Sequence, residues 1–111
     1  MLPAGFDLRT IQIFILVADL GGMTQAAARL GISQSAVSQA ISALEKLTET
    51  LLFDRNIRPL ALTTAGDVLY KYGNDLLATA KNTFHEVRKK DRKSFSNVKI
   101  AMLESFANTT G

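Results

Sequence analysis

The sequence predicts a mainly α-helical chain in which three short helices and a brief β-hairpin precede one long helix. Three observations carry that expectation. Apolar residues recur at spacings of three and four through residues 6–20, 33–47 and 67–90. The breaks fall on residues that stop helices, at Gly21-Gly22, Gly31 and Pro59. Between Leu51 and Gly66 (LLFDRNIRPLALTTAG) the helical spacing gives way to an apolar anchor, a polar turn and a short strand.

Residues 1–5 read as a lead-in. The first helix is expected over Phe6–Leu20, with Asp7 as its cap and Leu8, Ile11, Phe14, Ile15 and Ala18 on one face. Gly21-Gly22 ends it. Thr24 is expected to cap a second helix built on Ala26, Ala27, Ala28, Arg29 and Leu30. Gly31 lets the chain leave that helix abruptly by taking a positive φ, and Ile32 is apolar enough to plug the corner. Ser33 offers an N-cap oxygen to a third helix, as a simple cap, because Ala36 stands where a capping box needs Glu or Gln.

The third helix divides by face at 100° per residue. Val37, Ala40, Ile41 and Leu44 lie on one side, while Ser35, Gln39, Ser42 and Lys46 lie on the other with Ser38 beside them. An outer face of amides and hydroxyls suits a helix that reads hydrogen-bonding edges better than one that is merely solvated. Two helices crossing through a short glycine corner form a helix-turn-helix. Phe14 and Val17 are natural core partners for Val37 and Ile41.

After the anchor Leu51, Leu52 and Phe53 and the polar turn Asp54–Asn56, residues Arg58 to Leu62 are expected to form a hairpin beside the helix pair, which is a wing. Arg55 and Arg58 are its positive charges, and arginine is the side chain drawn into a narrow minor groove. Thr63-Thr64 should cap a long helix running to about Lys90. Leu69, Tyr72, Leu76, Ala80, Thr83 and Val87 form one stripe along it, and Tyr70, Leu77 and Phe84 a second. A stripe that long exceeds what a domain of some 60 residues can cover, so a second copy of the helix is the expected partner and the chain a dimer. Arg88–Asn97 (RKKDRKSFSN) is expected to break the helix as a hinge. Val98–Leu103 (VKIAML) has strand character and no sheet to join, which suggests the first strand of a further domain.

Composition sets the outer bounds. The 111 residues, 47% hydrophobic, suit one small domain with an added element. The chain has no cysteine, which excludes disulfides and thiolate zinc sites. The longest apolar run, Ile13–Ala18, is far too short to span a bilayer, and the N-terminus does not read as a signal peptide. A soluble, cytoplasmic protein without a membrane partner is therefore expected. Net charge is +3, yet residues 1–66 hold five basic and five acidic side chains, and the excess lies in residues 67–111 with eight and five. Bulk basicity thus gives the helix pair no affinity for nucleic acid, and placement of individual groups must supply it. With one histidine, His85, and no paired carboxylates or glycine-rich phosphate loop, nothing points to catalysis.

With these pieces in order, the chain resembles the N-terminal part of a LysR-type transcriptional regulator. The resemblance spans residues 6–103 and rests on FDLRTIQIFILVADLGGMTQAAARLGISQSAVSQAISALE, then LFDR, then Arg58, then LTTAG opening a long helix. It implies a winged helix-turn-helix over residues 1–66, a linker and dimerisation helix with its hinge over 67–93, and the first strand of an effector-binding domain over 94–111. It also implies double-stranded DNA as partner, a homodimer that assembles further in a full-length protein, and no cofactor in these residues, a small-molecule effector belonging to the C-terminal domain. Matched residue by residue, Ser33, Gln34, Ser35, Ser38 and Gln39 fall at positions that face phosphates and bases, and Arg55 and Arg58 match the wing arginines. Ala36 is placed to touch a thymine methyl, and Ser42 lies farther along the same face. The sequence departs from the family at Gln39, often arginine, at Ser42 and Ala43, often basic or amide, and at Thr48-Glu49, where a Leu-Gly pair is usual. The first two departures remove phosphate charge and guanine-reading capacity, so either weak affinity or a preferred site shifted toward adenine is expected. The third removes a helix-stopping glycine, so the third helix is expected to run on or end less sharply. The competing class is a protein-interaction module that kept this scaffold with weak or no DNA binding.

Overall fold

The chain begins its first helix at the residue expected to cap it. In the computed structural model, which describes residues 2–102 and their side chains as far as residue 90, the Asp7 carboxylate accepts from the Thr10 backbone N–H at 2.8 Å and from the Thr10 hydroxyl at 2.7 Å. These bonds to the ionised form, the backbone one foremost, hold the Asp7 carboxyl below its ordinary value. Helix α1 spans Leu8–Leu20, so Phe6 precedes the cap instead of opening the helix.

Helix α2 spans Met23–Leu30, and here the expected cap is corrected. Gly21 closes α1 in the left-handed region, at φ 76°, and Gly22 is already the N-cap of α2. No residue is left between the helices for Thr24 to act from, so it lies exposed in the first turn. The corner to α3 (Gln34–Thr48) is as expected: Gly31 stands at φ 71°, and the Ser33 hydroxyl accepts from the Ala36 N–H at 3.0 Å. The end of α3 differs from the expectation. The helix does not run on past Thr48, because Glu49 takes the left-handed conformation usually left to glycine, at φ 56°, and donates its N–H to the Glu45 carbonyl.

Strands β1 (Phe53–Asp54) and β2 (Ala61–Leu62) pair antiparallel, with Phe53 opposite Leu62 and Asp54 opposite Ala61. The wing's loop is Arg55–Leu60. Thr63 then caps α4 (Thr64–Met102) by accepting from the Gly66 N–H at 3.0 Å. The expected break at Arg88–Asn97 and strand at Val98 do not appear: α4 continues through Met102, and residues 103–111 lie outside the described residues. No proline or glycine interrupts residues 74–102, and a lone strand without a partner leaves its backbone groups unpaired.

The chain divides into two units, residues 1–77 and 78–111. In the first, α1, α2, α3 and the wing share one core. Ile11, Phe14, Val17, Ala26, Val37, Ile41, Leu44, Leu52 and Phe53 are buried together. Phe14 and Phe53 stack at a tilt, their ring centroids 5.2 Å apart, which ties the base of the wing to α1. Leu69, Tyr70 and Leu77 of α4 pack against this core. Residues 78–90 of the second unit are helical and mostly exposed. No helix among the described residues is long and apolar enough to cross a membrane.

Candidate nucleic-acid interface

The third helix owes its position to its inner row. Val37, Ile41 and Leu44 are fully buried and Ala40 is half-buried, so the opposite side of α3 has to face outward. Each such aliphatic side chain contributes about 1.5–3 kcal/mol toward holding that orientation. Ser33, Gln34, Ser35, Gln39 and Ser42 are all exposed, and Ala36 and Ser38 are half-buried at the edge of the row. From Ser33 to Ser42 these residues therefore form one continuous surface with many hydrogen-bonding groups and no charge.

The wing lies next to the start of this surface. A cleft of about 560 Å³ is lined by Gly22, Thr24 and Gln25 of the α2 start, Gln34 of α3, and Arg55 and Arg58 of the wing loop. The loop is fixed to the far end of α1 by the Leu60 N–H, which donates to the Gly21 carbonyl at 3.0 Å. Gln34, Arg55 and Arg58, far apart in sequence, are thus brought to one recess. Ser42 does not line it and lies two turns farther along α3.

The two arginines differ in their surroundings. Arg58 is exposed, and its Nη1 donates to the carbonyls of Arg55 at 2.8 Å and Ile57 at 3.0 Å. Arg55 is engaged by α3: its Nη1 and Nη2 donate to the two oxygens of Glu45, each at 3.2 Å. Glu45 Oε2 also accepts from the Leu52 N–H at 2.8 Å. Sequence reasoning gave Glu45 and Gln25 no role at this surface and Thr24 only that of a cap. For Glu45 no signal was available, since its partners lie seven and ten residues away across a turn. Thr24 and Gln25 follow from the Gly21-Gly22 pair, which places them in the first turn of a helix whose cap has no side chain.

On α4 the expected stripe is only partly free. In the first unit Leu69 is turned to the core, while Tyr72 is 62% and Leu76 42% exposed, with Val68 beside them at 53%. In the second unit Ala80 is half-buried and Thr83 exposed, its hydroxyl donating to the Thr79 carbonyl at 2.7 Å. Val87 is exposed, as is Phe84.

A family profile described as bacterial regulatory helix-turn-helix protein, lysR family, matches residues 8–67. The chain is 36% identical over 101 residues to the HTH-type transcriptional regulator BudR of Klebsiella aerogenes, covering 91% of this chain and 71% of that protein. It is 29% identical over 102 residues to the uncharacterized HTH-type transcriptional regulator YfeR of Shigella flexneri, covering 92% of this chain and 33% of that one, so it spans about a third of that relative's length. Among solved structures it is similar to the BenM DNA-binding domain in its complex with catB site 1 DNA. That likeness has 28% identity and a TM-score of 0.74, and covers 76% of this chain and 93% of the other.

Proposed function

This chain belongs to the lysR family of bacterial regulatory helix-turn-helix proteins, and from that premise we propose that it is a cytoplasmic transcriptional regulator that binds double-stranded DNA sequence-specifically as a dimer, with no catalytic role. The observation that carries the proposal is the outer face of α3, a run of exposed Ser33, Gln34, Ser35, Gln39 and Ser42 over a fully buried inner row. A surface of amides and hydroxyls without charge gains little from solvation alone and matches the donor and acceptor pattern of a major groove.

In this mechanism each α3 enters a major groove N-terminal end first. The free amides of its first turn, with the Ser33 and Ser35 hydroxyls, hold phosphates and set the register. Gln34 and Gln39 pair with adenine through N6 and N7, Ala36 meets a thymine methyl, and Ser38 and Ser42 contact the flanking backbone. The wing places Arg58 at the neighbouring minor groove, with Arg55 beside it. Residues 1–66 read the DNA. Residues 67–93 join two copies, through Tyr72, Leu76 and Val68 near the start of the long helix and through Ala80, Thr83, Phe84 and Val87 farther on. Higher assembly and effector binding belong to a full-length protein, and no cofactor is called for in these residues.

The combined variant Gln39→Ala and Arg58→Ala tests the proposal. Retention on duplex DNA is expected to be lost, with the fold kept, since both side chains are exposed. Unchanged retention would assign the DNA contact to another surface. Absence of DNA binding by the unmodified chain, with dimerisation intact, would favour an interaction module.

A further inference from the structure

We infer that Glu45 is a positioning residue for DNA reading, bracing the wing against α3 and holding Arg55 as a strut, so that Arg58 is the arginine the wing offers to DNA. The inference rests on the DNA-binding function proposed above and concerns which groups set its geometry.

Glu45 sits near the end of α3 with its side chain only 11% exposed, and its Arg55 partner is 39% exposed. Both carboxylate oxygens are committed. One receives the Leu52 N–H at 2.8 Å together with Arg55 Nη1 at 3.2 Å, and the other receives Nη2 at 3.2 Å. A planar guanidinium bonded by two nitrogens to two oxygens is fixed in direction as well as distance, which lysine cannot reproduce.

Leu52 passes this placement onward. Its carbonyl accepts from the Thr63 N–H at 3.1 Å, the Thr63 hydroxyl donates to the Leu51 carbonyl at 2.6 Å, and the same hydroxyl caps α4 at Gly66. Glu45 thereby sets β1, and through β1 the end of β2 and the first turn of α4, relative to the recognition helix. For Arg55 to turn to a phosphate, it would have to leave a carboxylate that is nearly shielded from water. Unpairing such a charge is unfavourable, and the bare carboxylate would repel the phosphates.

The sign of one substitution separates strut from contact. Glu45→Gln keeps an acceptor for Leu52 and removes the negative charge. If Arg55 were a phosphate contact, releasing it would tighten binding. As a strut, its release loosens the wing, and the full 111-residue chain should lose roughly three- to tenfold in affinity for its selected duplex, with the salt slope unchanged. Arg55→Gln should give the same loss, and the double variant little more. Arg58→Gln should instead lower the slope of log K against log salt by about 0.9, the value for one phosphate. In the DNA-free chain, Glu45→Ala should quicken hydrogen exchange of the Leu52 amide by about tenfold or more, the loss of one charge-assisted bond.

Tighter or unchanged binding by Glu45→Gln, or a slope lowered by Arg55→Gln, overturns the inference. So does a Leu52 amide indifferent to Glu45→Ala. Should the unmodified chain select no duplex at all, the proposed function fails, while the exchange measurement still decides whether the brace exists.

Discussion

The recognition helix and the wing stand side by side on one surface and offer opposite chemistry. Along α3 from Ser33 to Ser42 every exposed polar group is an amide or a hydroxyl, and no charge occurs. In the wing loop the functional groups are two arginines, one of them neutralised by a glutamate that α3 itself supplies. The contrast separates two parts of DNA binding. Uncharged amides distinguish bases and release few counterions, whereas a guanidinium attracts any sequence and makes binding salt-dependent. Because α3 carries no charge from Ser33 to Ser42, the helix should carry specificity and the wing a large share of the electrostatic attraction. With residues 1–66 neutral overall, the salt dependence should be shallow.

The largest effect is expected where the wing meets α4. Gly66 is buried, and a Cβ there would overlap the Leu52 carbonyl oxygen, a backbone atom that cannot turn aside. Gly66→Ala should cost on the order of 3 kcal/mol of stability, the upper part of the range for overpacking. Chemical denaturation followed by circular dichroism measures this, and a loss within error of zero would mean that β1 and α4 do not meet as described.

The contrast is next divided at its helix half. Gln39→Ala should lose about 1–3 kcal/mol of discrimination at one A·T pair, with nonspecific affinity and salt slope kept. Competition between the selected duplex and one changed at that pair reads it out. Equal loss on both duplexes would place Gln39 on a phosphate.

A smaller effect, of opposite sign, is expected at the junction between the two regions. Glu49 holds a left-handed backbone that costs a residue with a Cβ roughly 1 kcal/mol. Glu49→Gly should raise the unfolding free energy by about that amount and the denaturation midpoint with it, leaving base preference unchanged. A lowered midpoint would indicate that the Glu49 side chain contributes more than the strain it carries.

The smallest effect is a titration. Tyr70 donates its hydroxyl to Asp19, and this bond, with the nearby carboxylate charge, raises the phenol above its ordinary value near 10. A group raised on folding lends stability that is fully present below its unfolded value and is lost as pH rises through the folded one. The link between α1 and α4 should therefore weaken only above about pH 10. Asp19→Asn should return the phenol toward its ordinary value, as followed by tyrosinate absorbance. An unmoved titration would exclude the link.

Much of the fold was legible because its local signals agree. Asp7, Ser33 and Thr63 cap as their types predict, Gly31 turns the corner, and the inner row of α3 follows helical spacing. The cap of α2 was missed because consecutive glycines let one helix end where the next begins. The end of α3 was misjudged because local capping bonds, from the Glu49 and Thr50 N–H groups to the Glu45 carbonyl, close the helix with Glu49 in a conformation its type disfavours. The strand at Val98 was expected from the strand character of VKIAML and from the resemblance, and such character carries little weight without a neighbouring strand. In the interface, the polar face of α3 could be read from periodicity. The different surroundings of Arg55 and Arg58 could not, because only the folded chain brings Glu45 against the wing. Likewise Leu69 shares the spacing of Tyr72 and Leu76, and only the position of the core shows that it turns inward.

The most direct test of sequence-specific reading by this neutral face is selection from a random duplex pool at moderate salt, using the full chain. The bound fraction should converge on an interrupted palindrome with A·T pairs at the positions facing Gln34 and Gln39, and the preference at the pair facing Gln39 should disappear in Gln39→Ala. A pool no more enriched than background would contradict the assignment of α3 as a DNA-reading helix.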